Sequence, residues 1–279
     1  MRMVRKIVMD SSGDLRCLSG VSFAAVPLKI VAGSREFVDD EQCNVQEMVE
    51  YLRQYAGRTS TACPGVGAYI EAFGDADEVF CITITSNLSG SYNAAAIAAQ
   101  TWSEQHPAGK IHVFDSLSAG PEMALLAEKV REAIQAELTF DEIVAAGNAY
   151  LATTRLIFSL ESLHNLAVNG RVPMVVAKAV GVLGLRLIGQ ASEQGTLQPT
   201  GKARGEKKVV PELLKRLLSM GYQGGRLRIS HCGNLCAAQM LEQAVKAQFP
   251  DADVQIWTAG ALVSFYAEAG GLLIGLETA

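Results

Sequence analysis

The apolar run Val79-Phe80-Cys81-Ile82-Thr83-Ile84 stops at a cluster of hydroxyl-bearing residues, and an alanine-rich segment, Asn93 to Gln100, follows almost at once. A run this short and this apolar reads as a buried strand and the second segment as a helix, so Ser89, Gly90 and Ser91 fall at a strand-to-helix junction. The same alternation recurs through the first half of the chain. Strands are expected at Lys6 to Met9, Phe23 to Ile30, Glu78 to Ile84 and Lys110 to Phe114. Helices are expected near Asn44 to Tyr55, Val66 to Phe73, Ser91 to Trp102 and Ala119 to Ala136. Alternation of this kind predicts an α/β fold with a mainly parallel sheet and helices on both faces. Ligands of such sheets sit beyond the carboxyl ends of the strands. Three turns are expected on that edge: Asp10-Ser11-Ser12, Thr61 to Gly65, and Thr85 to Tyr92.

After a helix over Phe140 to Thr154, the strand Arg155 to Leu160 enters a new layout. It is followed by strands at Leu185 to Gln190 and Arg226 to Ser230, a polar hairpin around Glu193-Gln194-Gly195, a basic helix Lys207 to Leu218, and last strands at Val254 to Trp257 and Leu272 to Leu276. These elements predict two domains: residues 1–155 with the parallel sheet, and a smaller α/β domain over 156–279 with a mixed sheet.

Composition removes several classes of function. The formal net charge is −5, with Lys and Arg dispersed along 279 residues, which leaves no footprint for nucleic acid. No stretch reaches the roughly 18 uncharged apolar residues of a membrane span. The basic N-terminus (Arg2, Arg5, Lys6) precedes an apolar stretch too brief for a signal peptide and reads as a first strand. Six scattered cysteines without a CxxC pair, and four histidines apart from them, give no metal site. Reduced thiols of this kind suit a cytoplasmic protein. Cys63 stands out only because a helix N-terminus lowers a thiol pKa.

The turns at Thr61 and Ser89 carry the chemistry. Each is expected where a helix begins, so unpaired backbone N–H groups and hydroxyls meet there and can hold a carboxylate or a phosphate without a cationic side chain. Both residues fit equally well as plain N-caps. Asp10 to Gly13 reads as a turn, Arg171 as a residue following the tight turn Asn169-Gly170, His231 as a strand end, and Lys202, Arg204, Lys207 and Lys208 as a solvated face. A hydrolase using Ser89 or Cys63 is the alternative in the enzyme class, but there is no GxSxG elbow and no His spaced as a base. A nucleotide-binding module lacks both GxGxxG and the P-loop. A phosphate site at the Ser89 turn stays open.

Several motifs occur in a fixed order: Asp10-Ser11-Ser12, Val26-Pro27-Leu28, Asp39-Asp40, TACPGVGAYIEAF (Thr61 to Phe73), TSNLSGSYNAA (Thr85 to Ala95), Asp115-Ser116 and LESLHNLAVNGRV (Leu160 to Val172). Over essentially its whole length the chain resembles the DegV family. The resemblance implies a two-domain α/β protein that holds one long-chain fatty acid between its domains and serves as the acyl-carrying partner of a fatty acid kinase. With no catalytic triad spacing, no metal cluster and no nucleotide motif, the chain is expected to have no enzyme activity of its own, no cofactor, and at most transient membrane contact. Carried over, the resemblance puts Thr61, Ser89 and the Gly90 N–H at the carboxylate, with Ser86 in the same turn and Arg171 closing a GGR-like turn in which Asn169 replaces a glycine. The family's C-terminal histidine is missing from Ser264 to Gly271, where Ala267 aligns with it most closely.

A fatty acid requires a few donors for its head and a dry tunnel for its tail. Each buried methylene is worth about 0.8 kcal/mol, so a tail of roughly sixteen carbons supplies on the order of 12 kcal/mol before ordering and association costs. Neutral hydroxyls and N–H groups are then sufficient to fix the head and leave it open to a phosphorylating partner.

Overall fold

The computed structural model describes residues 3–178 and 185–278, so Arg2 of the basic N-terminus lies outside the described residues. The first half runs β1 (Arg5–Asp10), β2 (Ser22–Val26), β3 (Lys29–Ala32), β4 (Arg35–Val38), α1 (Val45–Gln54), β5 (Thr59–Ala62), α2 (Val66–Phe73), β6 (Glu78–Thr83), α3 (Ser91–Gln105), β7 (Lys110–Asp115), α4 (Pro121–Gln135) and α5 (Phe140–Ala152). The second half runs β8 (Thr154–Leu160), α6 (His164–Val168), α7 (Met174–Lys178), β9 (Leu185–Ala191), β10 (Leu197–Arg204), α8 (Glu206–Ser219), β11 (Leu227–His231), α9 (Leu235–Gln248), β12 (Val254–Thr258), α10 (Ala261–Ala267) and β13 (Leu272–Glu277).

The first sheet is parallel throughout, in the order β2-β1-β6-β7. Alternate side chains of its central strands serve opposite faces, as the pleat requires. Val8, Val79 and Cys81 pack with Tyr69, Phe73 and Trp102 of α2 and α3. Ile7, Met9, Phe80 and Ile82 pack with Met123, Leu126 and Val130 of α4. This two-sided burial is why β6 reads as a continuous apolar run.

The second sheet has the order β10-β9-β8-β13-β11-β12 and is mixed, with only β11 and β12 parallel. Helices α8 and α9 cover one face through Val209, Leu213, Leu217, Leu241 and Val245. Helix α4 serves both sheets, and its first seven residues are all buried. Its N-terminus rests on Gly275 of β13, where a Cβ would come within 2.6 Å of the Glu122 nitrogen. Farther along α4, Glu128 receives Arg228 of β11 in two bonds of 2.7 Å. The second unit holds fewer residues than the first but carries the wider sheet.

Two expectations are corrected. Phe23 to Ile30 is not one strand: Pro27, which has no N–H, separates β2 from β3, and the Leu28 N–H goes to Ser11 Oγ at 3.0 Å. Strand β3 then joins a small antiparallel sheet, β4-β3-β5, on which α1 and α10 pack through Met48, Ala261 and Phe265. Thr61 is not at a helix start either. It lies on β5 of this small sheet, opposite Ile30, with α2 beginning only at Val66. Among the described residues no helix is long and apolar enough to cross a membrane.

Candidate functional site

Between the carboxyl edge of the parallel sheet and one face of the mixed sheet lies a cavity with about 850 Å³ of empty space, counting its open mouth. Its apolar wall comes from alternate residues of β8 (Leu156, Phe158, Leu160), from Leu273 of β13, from Leu262 and Val263 of α10, and from Leu28, Ile84 and Leu166. Period-2 alternation turns the three β8 side chains inward together.

Among the hydroxyls on this wall, which also include Thr85 and Thr196, two sets stand apart. Ser12 donates to Asp10, and Ser118 donates to Glu122. Both carboxyls are buried behind the wall, and burial pushes Asp10 up to about 6 against the bonds from Ser12 and the Ile84 N–H. Burial likewise raises Glu122, against hydrogen bonds from Ser118 and Thr154. The protons of Ser12 and Ser118 are therefore engaged inside the protein.

The second set clusters around Arg171. Thr61 Oγ1 lies 2.7 Å from the Tyr266 hydroxyl. The Arg171 guanidinium sits 5.7 Å from the Tyr266 ring centre, a cation–π distance. Arg171 Nε donates to the Leu88 carbonyl at 3.2 Å and Nη1 to the Asn169 carbonyl at 2.6 Å. Gly170, with φ of 75°, makes the turn that returns Arg171 to the cavity. Next to Leu88, Ser89 Oγ lies 3.0 Å from Ser91 Oγ and accepts from the Ser91 N–H at 3.2 Å. Thus Ser89 stabilises the start of α3 and also faces the cavity. From the other side, Asn87 Nδ2 donates to the Gln194 carbonyl at 2.7 Å, which ties the Ser89 loop to the hairpin between β9 and β10.

Of the residues expected at the site, Thr61, Ser89 and Arg171 line this cavity, while Ser86 and Gly90 do not. Ser86 is exposed and its N–H is bound to Asp115 Oδ1 at 3.1 Å. Gly90 is exposed at the cap of α3 beside Cys63. Sequence reasoning missed Tyr266, although a phenol next to the aligned Ala267 was a signal in plain view. Ala267 itself is 4% exposed and lines the cavity, and a Cβ at neighbouring Gly271 would come within 2.8 Å of the Ala267 Cβ, so that position is held to glycine. Ser89 hydrogen-bonds with Ser91 and, among the described residues, has no histidine to act as a base. No group of three potential metal ligands occurs among the described residues.

Fold and cavity together define a class: α/β proteins with an apolar cavity between a parallel and a mixed sheet, and with hydroxyls and a guanidinium at its polar wall. The family model described as "Uncharacterised protein, DegV family" matches residues 5–278, and the chain belongs to that family. A DegV domain-containing protein of Streptococcus pneumoniae is 42% identical over 279 residues, covering 99% of this chain and 99% of that protein. A DegV family protein from Eubacterium eligens, crystallised loaded with heptadecanoic acid, is similar at a TM-score of 0.97 and 45% identity, covering 99% of this chain and 100% of that one. The Fatty Acid Kinase (Fak) B3 protein of Streptococcus pneumoniae, crystallised loaded with linoleic acid, is similar at 0.97 and 42%, with the same coverage.

Proposed function

We propose that this protein binds one long-chain fatty acid, with the tail in the apolar cavity and the carboxylate at Thr61, Ser89 and Arg171. The observation that carries the proposal is a contrast among the wall hydroxyls: Ser12 and Ser118 give their protons to buried carboxyls, whereas Thr61 and Ser89 stand with Arg171, the only arginine on the wall among the described residues. An apolar wall with donors gathered at one place suits a ligand with a single anionic head. The loaded structures of the Eubacterium eligens and Streptococcus pneumoniae relatives support the same reading.

In this account the chain is a carrier that presents its carboxylate to a separate fatty acid kinase, and it performs no chemistry of its own. The two domains, 1–155 and 156–279, hold the ligand between them. Three exposed free thiols, Cys17, Cys63 and Cys236, support a cytoplasmic setting. Native mass spectrometry of the protein purified from bacteria tests the binding: a fatty acid mass at about one per chain is expected. An empty chain that takes up neither palmitate nor oleate on incubation would refute it.

A further inference from the structure

We propose that Tyr266 is a head-group ligand of this site, its phenol acting with Thr61 as a coupled pair of donors to the carboxylate. The inference rests on the fatty acid reading and adds a residue to it. Helix α10 packs Phe265 against the small sheet and thereby turns Tyr266 toward the cavity, with the two rings edge to face at 4.9 Å. Its hydroxyl meets Thr61 Oγ1 at 2.7 Å, joining a strand of the first half to a helix of the second across 205 positions of sequence.

The proton count gives the pair its function. Two hydroxyls carry two protons, and the bond between them uses one, whichever atom donates. The other proton stays available to a carboxylate oxygen, and a hydroxyl that accepts one hydrogen bond while donating another donates more strongly. Burial keeps the phenol in its protonated, donating form, raising its pKa against the opposing pull of Thr61 and Arg171. Arg171, over the same ring, supplies the positive charge that the pair lacks. A phenol here contributes a donor without a second charge, so the polar wall stays at one formal positive charge for one carboxylate.

The experiment compares palmitate with hexadecanol, which has the same tail and no charged head, on the parent and on Tyr266→Phe. The Phe variant keeps the ring against Phe265 and Arg171. It should bind palmitate about tenfold to a hundredfold more weakly, the loss of one hydrogen bond to a charged group, and hexadecanol within about threefold of the parent. Thr61→Ala combined with Tyr266→Phe should lose less than the product of the two single losses, because the pair acts as a unit. Parent-like palmitate binding by Tyr266→Phe overturns the inference, as does an equal loss for palmitate and hexadecanol, which would make the ring and not the hydroxyl responsible. A parent that binds neither ligand removes the fatty acid reading and this inference with it.

Discussion

Arg171 Nε donates to the Leu88 carbonyl at 3.2 Å, which ties the turn after α6 to the loop that presents Ser89. One side chain thus positions a neighbouring donor and brings the cavity wall its positive charge. Arg171→Ala should weaken fatty acid binding by at least tenfold, and Arg171→Lys, which retains charge without the guanidinium fork, should fall between Ala and the parent. Titration with a fluorescent fatty acid measures the order.

Ser89 and Ser86 belong to one turn and face different ways. Ser89→Ala should weaken palmitate binding by about tenfold to a hundredfold, with Thr61→Ala comparable. Ser86→Ala should bind as the parent does, because that side chain is exposed outside the cavity. A loss at Ser86 equal to that at Ser89 would move the head group to the outer side of the loop.

Ala267, where the family resemblance suggests an imidazole, is a buried residue on the cavity wall. A ring at this buried position overpacks α10 and the wall and should destabilise the fold by about 1 to 3 kcal/mol. Urea unfolding of Ala267→His checks this, and an unchanged midpoint would show that α10 yields easily.

Asp10 has its folded-state pKa at about 6 against an ordinary 3.8. Between those values the folded chain binds more protons than the unfolded one, so this group's contribution is present in full below about pH 4 and is lost as pH rises to about 6. The unfolding free energy of the parent relative to Asp10→Asn should therefore fall by up to about 3 kcal/mol from pH 4 to pH 7. The variant itself lacks one acceptor for the Ser12 and Ile84 N–H groups and should be less stable at pH 4. A difference that does not change with pH would contradict the burial of this carboxyl behind the cavity.

The parallel sheet was legible because β1, β6 and their helices carry their own periodicity, and α2 occupies the expected Val66–Phe73. The small sheet was not. Strand β5 reads Thr59-Ser60-Thr61-Ala62, with no apolar side to mark a face, and its identity comes from pairing with β3. Strand β10 is mostly exposed and likewise depends on its partner β9. Helix α9 escaped although Asn234 caps it through the Ala237 N–H. At the site, Ser89 and Arg171 were recognisable from their motifs. Tyr266 stood next to the aligned Ala267, but its pairing with Thr61 joins a strand at the other end of the chain, which local sequence does not encode.

The most direct measurement of the central claim is the carboxyl carbon signal of [1-¹³C]palmitate in solution with the delipidated protein. One bound resonance that saturates at about one equivalent per chain, and shifts when Ser89 or Thr61 is replaced by alanine, is the expected result. A spectrum with only the free-ligand signal, or a bound resonance that ignores both substitutions, would contradict a carboxylate held at Thr61 and Ser89.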